Sequence, residues 1–341
     1  MIWRKLARGL GRFTLPAASA AMAIIVVVPT AAWAAPFWPV SPASPQARSQ
    51  VTLFWIVIAI AFVFLFVVLG VLVYVMLRFR ARPGQPEPRQ IYGNQRLELW
   101  WTAIPMGILV VIFGFTVRAV TDETAIAADA LPVAVVGHQW WWEFRYPTLG
   151  VTTANELQLP VGRAVHFTLE SADVIHTFWF PELGGKEQTI PGTSNVWTFT
   201  PERAGEFEGA CSEYCGVQHA WMRMRLIVQT PQDFDAWVEQ QRRPPQAIGL
   251  PEHQEALRLW SANACGQCHT IAGLSSGIVG PDLTHAGSRG ILAGGVLKND
   301  PDNMTRWLRD PQRFKPGSYM PNLHLDDQQA IALARFLEDL K

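Results

Sequence analysis

The 341 residues leave room for two or three domains. The 28 basic and 28 acidic side chains cancel, so the overall charge gives no indication of a nucleic-acid partner. Residues 1–120, however, hold 11 basic and 2 acidic side chains, whereas residues 121–250 hold 8 basic and 16 acidic ones. Basic residues near apolar runs, followed by an acidic part, indicate a membrane protein with one water-facing end.

Residues 1–34 have the three parts of a secretory signal peptide. Four basic residues stand within the first twelve positions, an apolar run follows, and "AWA" before Ala35 has the small residues of a cleavage site. An uncleaved membrane helix is the alternative. It is disfavoured because Trp33 and the prolines after it leave the stretch short for a full span.

Two longer apolar runs predict a transmembrane hairpin over residues 45–120. The first, at 51–77, carries no charge for 27 residues, and the second covers about 99–118. A soluble core helix is seldom apolar on all sides at this length. Five arginines lie in and beside the connecting loop, which places that loop in the cytoplasm by the positive-inside rule. Everything after Val120 is then expected outside.

From Leu131 the pattern changes to short alternating runs separated by Gly and Pro. This pattern predicts an antiparallel β sandwich or barrel. The stretch "CSEYCGVQHAWM" at 211–222 falls between two such runs, so we expect it on a loop that joins two neighbouring strands. Such a loop can hold side chains in fixed geometry at one end of a rigid barrel.

The residue types in this loop favour copper. Cys211, Cys215, His219 and Met222 offer thiolate, imidazole and thioether, the soft set that selects copper. Two thiolates exceed the need of a mononuclear site and can instead bridge two copper ions. A second imidazole must come from elsewhere, and His176 is the candidate in a loop-like, aromatic- and Gly-rich segment.

Other interpretations of the same residues are weaker. A Cys211–Cys215 disulfide suits an oxidising compartment but leaves the His and Met unexplained. A zinc site more often uses Cys-x2-Cys spacing and has no use for Met. His138 and His166 lie in strand patterns and are predicted to be packed or surface residues.

These residues carry a family resemblance. Residues 171–186, "IPG" at 190–192 and residues 211–222 resemble the binuclear copper (CuA) domain of cytochrome c oxidase subunit II. "GHQWWWEFRYP" and "LELWWTAIP" extend the likeness to about residues 45–230. The resemblance implies a cupredoxin-like antiparallel β-barrel over residues 121–235. The CuA ligands that it implies are His176, Cys211, Glu213 through its carbonyl, Cys215, His219 and Met222.

The same resemblance implies three further roles. The Glu213 carboxylate would help to bind magnesium at the boundary with subunit I. Trp140 would be the tryptophan at which electrons enter, with a plain packing role as the alternative. Glu98 would stand at the mouth of a proton pathway in subunit I, although a solvated residue at a helix start has the same appearance.

A second cluster follows a Pro-rich linker at 236–250. Cys265, Cys268 and His269 form Cys-x2-Cys-His, the signature of covalent c-type haem attachment. The thiols add to the haem vinyl groups and the histidine reaches the iron. A thioredoxin-like pair is disfavoured because no βαβ pattern surrounds it, and a zinc ribbon would need a second cysteine pair.

The sixth iron ligand has four candidates: Met304, Met320, His285 and His324. Met304 falls in a helical pattern, where a core or surface role is favoured over that of a ligand. Residues 251–341 resemble an all-α class I cytochrome c, with "GPDLTH" at 280–285 and "YMPN" at 319–322. That likeness implies Met320 as the ligand and Pro281 packed near His269. Met–His ligation raises the haem potential.

In order, these parts resemble the cytochrome-fused subunit II of a caa-type haem-copper oxidase. The resemblance implies a two-span protein of the bacterial inner membrane with both water-facing domains in the periplasm. Electrons would pass from cytochrome c or another periplasmic donor through haem c and CuA to subunit I, where oxygen is reduced to water with proton pumping. The implied partners are subunits I and III, the donor and membrane lipid. A nitric oxide reductase subunit or a membrane-anchored copper or haem carrier are the alternatives.

Overall fold

The computed structural model describes residues 41–80, 82–87, 89–123 and 129–341. The signal peptide predicted for residues 1–34 lies outside these residues. Two long helices come first, α1 (Pro45–Arg78) and α2 (Gln95–Glu123). Pro45 stands in the first turn of α1, and the Ser44 side chain accepts a hydrogen bond from Ala47 N, so this helix has a defined N-cap.

Both helices are long and apolar enough to cross a membrane by length and composition. Their large side chains are exposed, with Phe66 and Leu99 each 66% accessible. Neither helix therefore serves as the core of a water-soluble domain in this chain. The two predicted spans at 51–77 and about 99–118 lie inside α1 and α2.

Ten strands, β1–β10, follow and form two five-stranded sheets, which together are called the barrel. Their bounds are β1 (Leu131–His138), β2 (Trp141–Tyr146), β3 (Val151–Ala154), β4 (Glu156–Pro160), β5 (Val165–Ser171), β6 (His176–Trp179), β7 (Lys186–Thr189), β8 (Asn195–Phe199), β9 (Gly205–Cys211) and β10 (Arg223–Gln229). The strand orders are β3-β2-β1-β5-β8 and β4-β10-β9-β6-β7. The fold is the predicted cupredoxin-like β domain.

Most strand pairs are antiparallel, as the alternating pattern predicts, but β1 pairs with β5 and β4 with β10 in parallel. Alternation fixes which residues face inward and does not fix the direction of a neighbouring strand. In β10, Met224, Leu226 and Val228 are buried and the residues between them are partly exposed. These three join aromatic residues such as Trp142 and Phe178 in one core between the sheets.

The predicted linker at 236–250 begins inside a helix. This helix, α3 (Pro231–Gln241), is capped by Thr230, whose side chain accepts from Asp233 N. Phe234 and Val238 are buried in the barrel core, and the Trp237 ring lies 5.4 Å from the Tyr146 ring. The first residues of the predicted linker therefore pack against the barrel. The prolines begin later, at Pro244.

Residues 254–341 form a second packed unit, here called the helical domain. Its helices are α4 (Gln254–Ala262), α5 (Pro301–Arg309), α6 (Pro311–Phe314) and α7 (Asp327–Asp339). Asp326 and Gln329 form a capping box that starts α7. Trp260, Leu333 and Phe336 belong to a separate core. The helical prediction is confirmed, and the only sheet structure here is two pairs of two-residue strands, β11–β12 (Thr270–Ile271, Ser275–Ser276) and β13–β14 (Ile291–Leu292, Leu297–Lys298).

The helical domain is attached to the barrel by specific polar contacts. The Glu156 carboxylate, 2% exposed, accepts hydrogen bonds from Gly290 N and Ile291 N at 2.8 Å each. Burial raises the pKa of Glu156, and the two N–H donors oppose that rise. Arg223 N also donates to Gly294 O at 3.1 Å. The two domains therefore have a defined relative position next to the β9–β10 loop.

Candidate metal centre

The two cysteines of the first cluster lie at the end of a β-hairpin. Cys211 is the last residue of β9, and the chain returns through a short 3-10 turn, His219–Trp221, to β10. Cys211 N donates to Met222 O at 3.0 Å, which closes the loop. The prediction of a loop between neighbouring strands is confirmed, and the hairpin brings residues eleven positions apart together.

The two sulfur atoms are the centre of the site. Cys211 Sγ and Cys215 Sγ lie 3.8 Å apart, and both cysteines are free and buried. His176 Nδ1 lies 4.0 Å from Cys211 Sγ. The ligand atoms of these three residues all lie within 4.8 Å of one another. The two cysteines form no disulfide, and the arrangement could hold a metal ion.

The remaining donors surround the same two sulfurs. His219 Nδ1 lies 3.7 Å and Met222 Sδ 3.8 Å from Cys215 Sγ. The Glu213 carbonyl oxygen lies 3.2 Å from Cys211 Sγ. All six residues that the sequence singled out are thus brought together. Two thiolates with an imidazole on each side and a thioether nearby form a donor set suited to copper.

His176 is held by its other ring nitrogen. Asp173 Oδ1 lies 2.8 Å from His176 Nε2, which leaves Nδ1 facing Cys211. Burial lowers the pKa of His176, but the hydrogen bond to Asp173 and the nearby Cys211 outweigh it, so the pKa lies above its ordinary value. A Cβ at Gly137 would lie 2.7 Å from His176 Cδ2, so only glycine leaves room for the ring.

The expected loop-like setting of His176 is wrong, since this residue begins β6 and is fully buried. The reason is the alternation of the apolar residues after it. Phe178 and Phe180 point into the barrel core, so His176 faces the same side. A strand position holds the imidazole more rigidly than a loop would.

The thiols of the pair are coupled. A hydrogen bond between them lowers the pKa of Cys211 and raises that of Cys215. Burial opposes ionisation at both sites. The hydrogen bond thus favours the thiolate at Cys211, and the thiolate is the form that ligates metal.

Trp140 is buried beside the cluster, 6% exposed. Its Nε1 donates to Cys215 O at 2.9 Å, and Gln139 Nε2 donates to the same oxygen at 2.8 Å. Trp140 is thus tied directly to the backbone of a predicted ligand. His138 and His166, by contrast, bond to Glu143 and Thr198 within the barrel and lie outside the cluster, as predicted.

The two predicted carboxylate sites have simpler surroundings. Glu213 Oε2 accepts from Gln188 Nε2 at 3.3 Å, and Glu213 belongs to no group of three or more His, Cys, Asp or Glu ligands in the described part of the chain. Glu98 is exposed in the first turn of α2, where its Oε1 accepts from Asn94 N at 3.1 Å. This contact stabilises the helix start.

The second cluster lies in the helical domain. Cys265 begins a single 3-10 turn, Cys265–Gln267, and Cys268 directly follows it; both cysteines are free. His269 Nδ1 is 2.8 Å from Pro281 O, which leaves Nε2 available to a metal and confirms the expected packing of Pro281. A Cβ at Gly280 would lie 2.4 Å from the His269 ring. These residues fit a haem attached through both sulfurs and bound through His269 Nε2.

The candidates for the second iron ligand differ in their surroundings. Met304 is buried in α5 as a core residue, the first of the two roles predicted for it, and His285 is buried away from solvent. His324 is exposed. Met320 is half-buried against the core of the helical domain, and Gln312 Nε2 donates to its carbonyl at 2.7 Å. Of the two candidate methionines, Met320 is therefore the one that lies in an open loop and not in the core of a helix.

Sequence reasoning missed four residues that the fold brings to these clusters. Asp173 orients His176, while Gln139, Lys315 and Tyr319 surround Trp140. The spacing of Asp173 three positions before His176 was a usable signal. Lys315 and Tyr319 come from the other domain, more than 170 positions away, and the sequence gives no sign of that contact.

Three family models match the chain. They are the transmembrane domain of cytochrome c oxidase subunit II at residues 31–118, its periplasmic domain at 148–230, and cytochrome c at 254–341. Together they match most of the described residues.

Curated relatives match along most of the chain. Cytochrome c oxidase subunit 2 of Alkalihalophilus pseudofirmus is 33% identical over 280 residues, covering 80% of this chain and 81% of its own length. The Bacillus subtilis protein of that name is 32% identical over 295 residues, with 80% and 82% covered. The solved periplasmic domain of subunit II of cytochrome oxidase from Bradyrhizobium japonicum is 30% identical, with a TM-score of 0.34, covering 35% of this chain and 97% of that one.

Proposed function

Because the chain belongs to the cytochrome c oxidase subunit II family, part of a haem-copper terminal oxidase, we propose that it is the subunit through which electrons enter the complex. A periplasmic donor delivers electrons to a covalent haem c, and a binuclear CuA centre passes them to subunit I. There oxygen is reduced to water with proton pumping. The chain is membrane-anchored, and both water-facing domains lie on the periplasmic side.

The arrangement of donors around two sulfurs carries this proposal. Cys211 and Cys215 would hold the copper together with four further groups whose donor atoms lie 3.2 to 4.0 Å from the sulfurs: His176, His219, Met222 and the Glu213 carbonyl. When bound, copper and haem supply reversible one-electron storage. The barrel keeps this site buried and rigid, so ligand rearrangement on electron transfer is small.

In the helical domain, Cys265 and Cys268 would hold the haem covalently and His269 would bind its iron. Support comes from the free Nε2 of His269, whose Nδ1 is engaged by Pro281 O. Met320 would supply the second iron ligand from its loop. A Met–His pair gives a high potential, which suits a haem that receives electrons on their way to oxygen.

Further roles are proposed for the residues near the partner subunits. Trp140 leads electrons to the copper pair, supported by its hydrogen bond to Cys215 O. Glu98 stands at a proton pathway and the Glu213 carboxylate binds magnesium together with groups of subunit I, both supported by the resemblance. Subunits I and III, and lipid along α1 and α2, are the proposed neighbours in the membrane.

Spectroscopy of the full chain tests the proposal. The protein is produced with haem-maturation machinery, loaded with copper, and studied by absorption and electron paramagnetic resonance. We expect a covalent c-type haem spectrum and a copper signal with one electron shared over two nuclei. A single-copper signal, or none while the haem forms normally, would contradict the binuclear centre. Cys211→Ser should abolish the shared signal and leave the haem intact.

A further inference from the structure

A loop of the helical domain, residues 315–320, lies on the barrel next to the two sulfurs. The Tyr319 ring stacks on the Trp140 ring, with centroids 5.5 Å apart and planes 30° apart. The Tyr319 hydroxyl donates to Gln139 Oε1 at 2.6 Å. Lys315 Nζ donates to Trp140 O at 2.8 Å, so the loop is attached to both residues of the Gln139–Trp140 pair.

The barrel residues that Tyr319 contacts are themselves bonded to the copper loop. Trp140 Nε1 and Gln139 Nε2 both donate to the Cys215 carbonyl, at 2.9 and 2.8 Å. On its other side, Tyr319 directly precedes Met320 in the chain. A continuous series of covalent bonds, one ring contact and hydrogen bonds therefore joins the proposed iron ligand to a proposed copper ligand.

The same loop controls what can reach Trp140. Trp140 is 6% exposed, whereas Tyr319 above it is 63% exposed. Gln218 Nε2 donates to Pro316 O at 2.6 Å, which attaches the loop at a further point beside the copper cluster. A soluble protein can touch Tyr319 or other parts of the helical domain, but the face of Trp140 is covered.

Building on the proposed function, we infer that Tyr319 is the contact through which the helical domain passes electrons to the copper pair, and that loop 315–320 closes Trp140 to soluble donors. Each event moves one electron. The haem iron is oxidised by one electron and the copper pair is reduced by one, with no bond made or broken and no proton released. The haem is reduced again by an external reduced c-type cytochrome.

The first test measures electron transfer inside the full, copper- and haem-loaded chain. The haem is reduced by a light pulse, and its reoxidation is followed together with copper reduction. Tyr319→Leu removes the ring contact and the hydroxyl bond, and should weaken loop docking and slow transfer on the order of tenfold. Tyr319→Phe keeps the ring and should retain most of the rate. Phe314→Leu is the matched control, since Phe314 is an aromatic residue near the same loop that contacts Arg306.

The second test measures the exposure of Trp140 without electron transfer. Oxidative labelling followed by mass spectrometry of the Trp140 peptide should give low labelling in the native chain and in Phe314→Leu, and several-fold higher labelling in Tyr319→Leu. A Tyr319→Leu variant that keeps the native rate and the native labelling would overturn the inference. If native protein showed no shared-copper signal or no covalent haem, the proposed function would fall instead, so the two failures are distinguishable.

Discussion

Asp173 Oδ1 lies 2.8 Å from His176 Nε2, and this contact turns the other ring nitrogen of His176 towards Cys211 Sγ, 4.0 Å away. A carboxylate that engages the far nitrogen of a ligating histidine fixes its orientation and raises its basicity. Asp173 therefore belongs to the candidate metal centre, although it supplies no ligand atom.

Asp173→Asn should weaken copper binding by about 10- to 100-fold, the usual effect of losing such an outer contact. Competition with a copper chelator, read by the visible copper bands, measures the change. Glu143→Gln is the matched control, because Glu143 holds His138 in the same barrel at 3.1 Å but away from the sulfurs. Equal copper affinity in the two variants would contradict the role of Asp173.

Met320→Leu should remove the long-wavelength Met–iron absorption band and lower the haem potential, because a thioether ligand raises it. Covalent haem attachment through Cys265 and Cys268 should persist. Met304→Leu, a change in the core of α5, should keep both the band and the potential. A band that survives in Met320→Leu and vanishes in Met304→Leu would reverse the assignment.

Glu156→Ala should loosen the attachment of the helical domain. The change removes a buried acceptor of two backbone N–H groups, which costs about 1–3 kcal/mol for a buried group left without its partner. Hydrogen exchange at Gly290 and Ile291 should accelerate, while exchange in the barrel strands stays slow. Glu206→Ala is the control, since Glu206 is exposed and pairs with Arg225. Unchanged exchange in Glu156→Ala would contradict this prediction.

Lys315 should make stability depend on pH. Burial lowers the pKa of Lys315 to about 8, and the nearby Cys215 side chain opposes this shift. Between pH 8 and the ordinary value of 10.5, the unfolded chain holds the proton and the folded chain has lost it, so the contribution of Lys315 to stability rises with pH. Below pH 8 Lys315 is protonated in both states, so the folded chain bears the full free-energy cost of burying its charge.

The free energy of unfolding of native protein minus that of Lys315→Met should therefore increase across this window, by roughly 3 kcal/mol at most, since one pKa unit corresponds to ~1.4 kcal/mol. Denaturant unfolding of the detergent-solubilised chain at several pH values measures it. Lys298→Met removes an exposed lysine and should follow the native pH profile. A constant difference between native and Lys315→Met would contradict the prediction.

Much of the architecture followed from local patterns. Uncharged runs of sufficient length predicted α1 and α2. Alternation predicted the barrel strands, because burial of apolar side chains repeats with the two-residue period of a strand. The ligand residues Cys211, Cys215, His219 and Met222 were recognisable because they fall within one short loop. The parallel pairing of β1 with β5 could not be predicted, since alternation carries no information on strand direction.

By itself, the sequence determined which side chains are candidates for binding copper and haem, namely thiols, imidazoles and thioethers at short spacings. It also determined that two apolar segments are long enough to cross a membrane. Only the tertiary structure decided that His176 reaches Cys211 from a strand and that Tyr319 rests on Trp140. The physical reason is distance along the chain. Short-range spacing is fixed by local backbone geometry, whereas contacts across 35 or 180 positions depend on how whole sheets and domains pack.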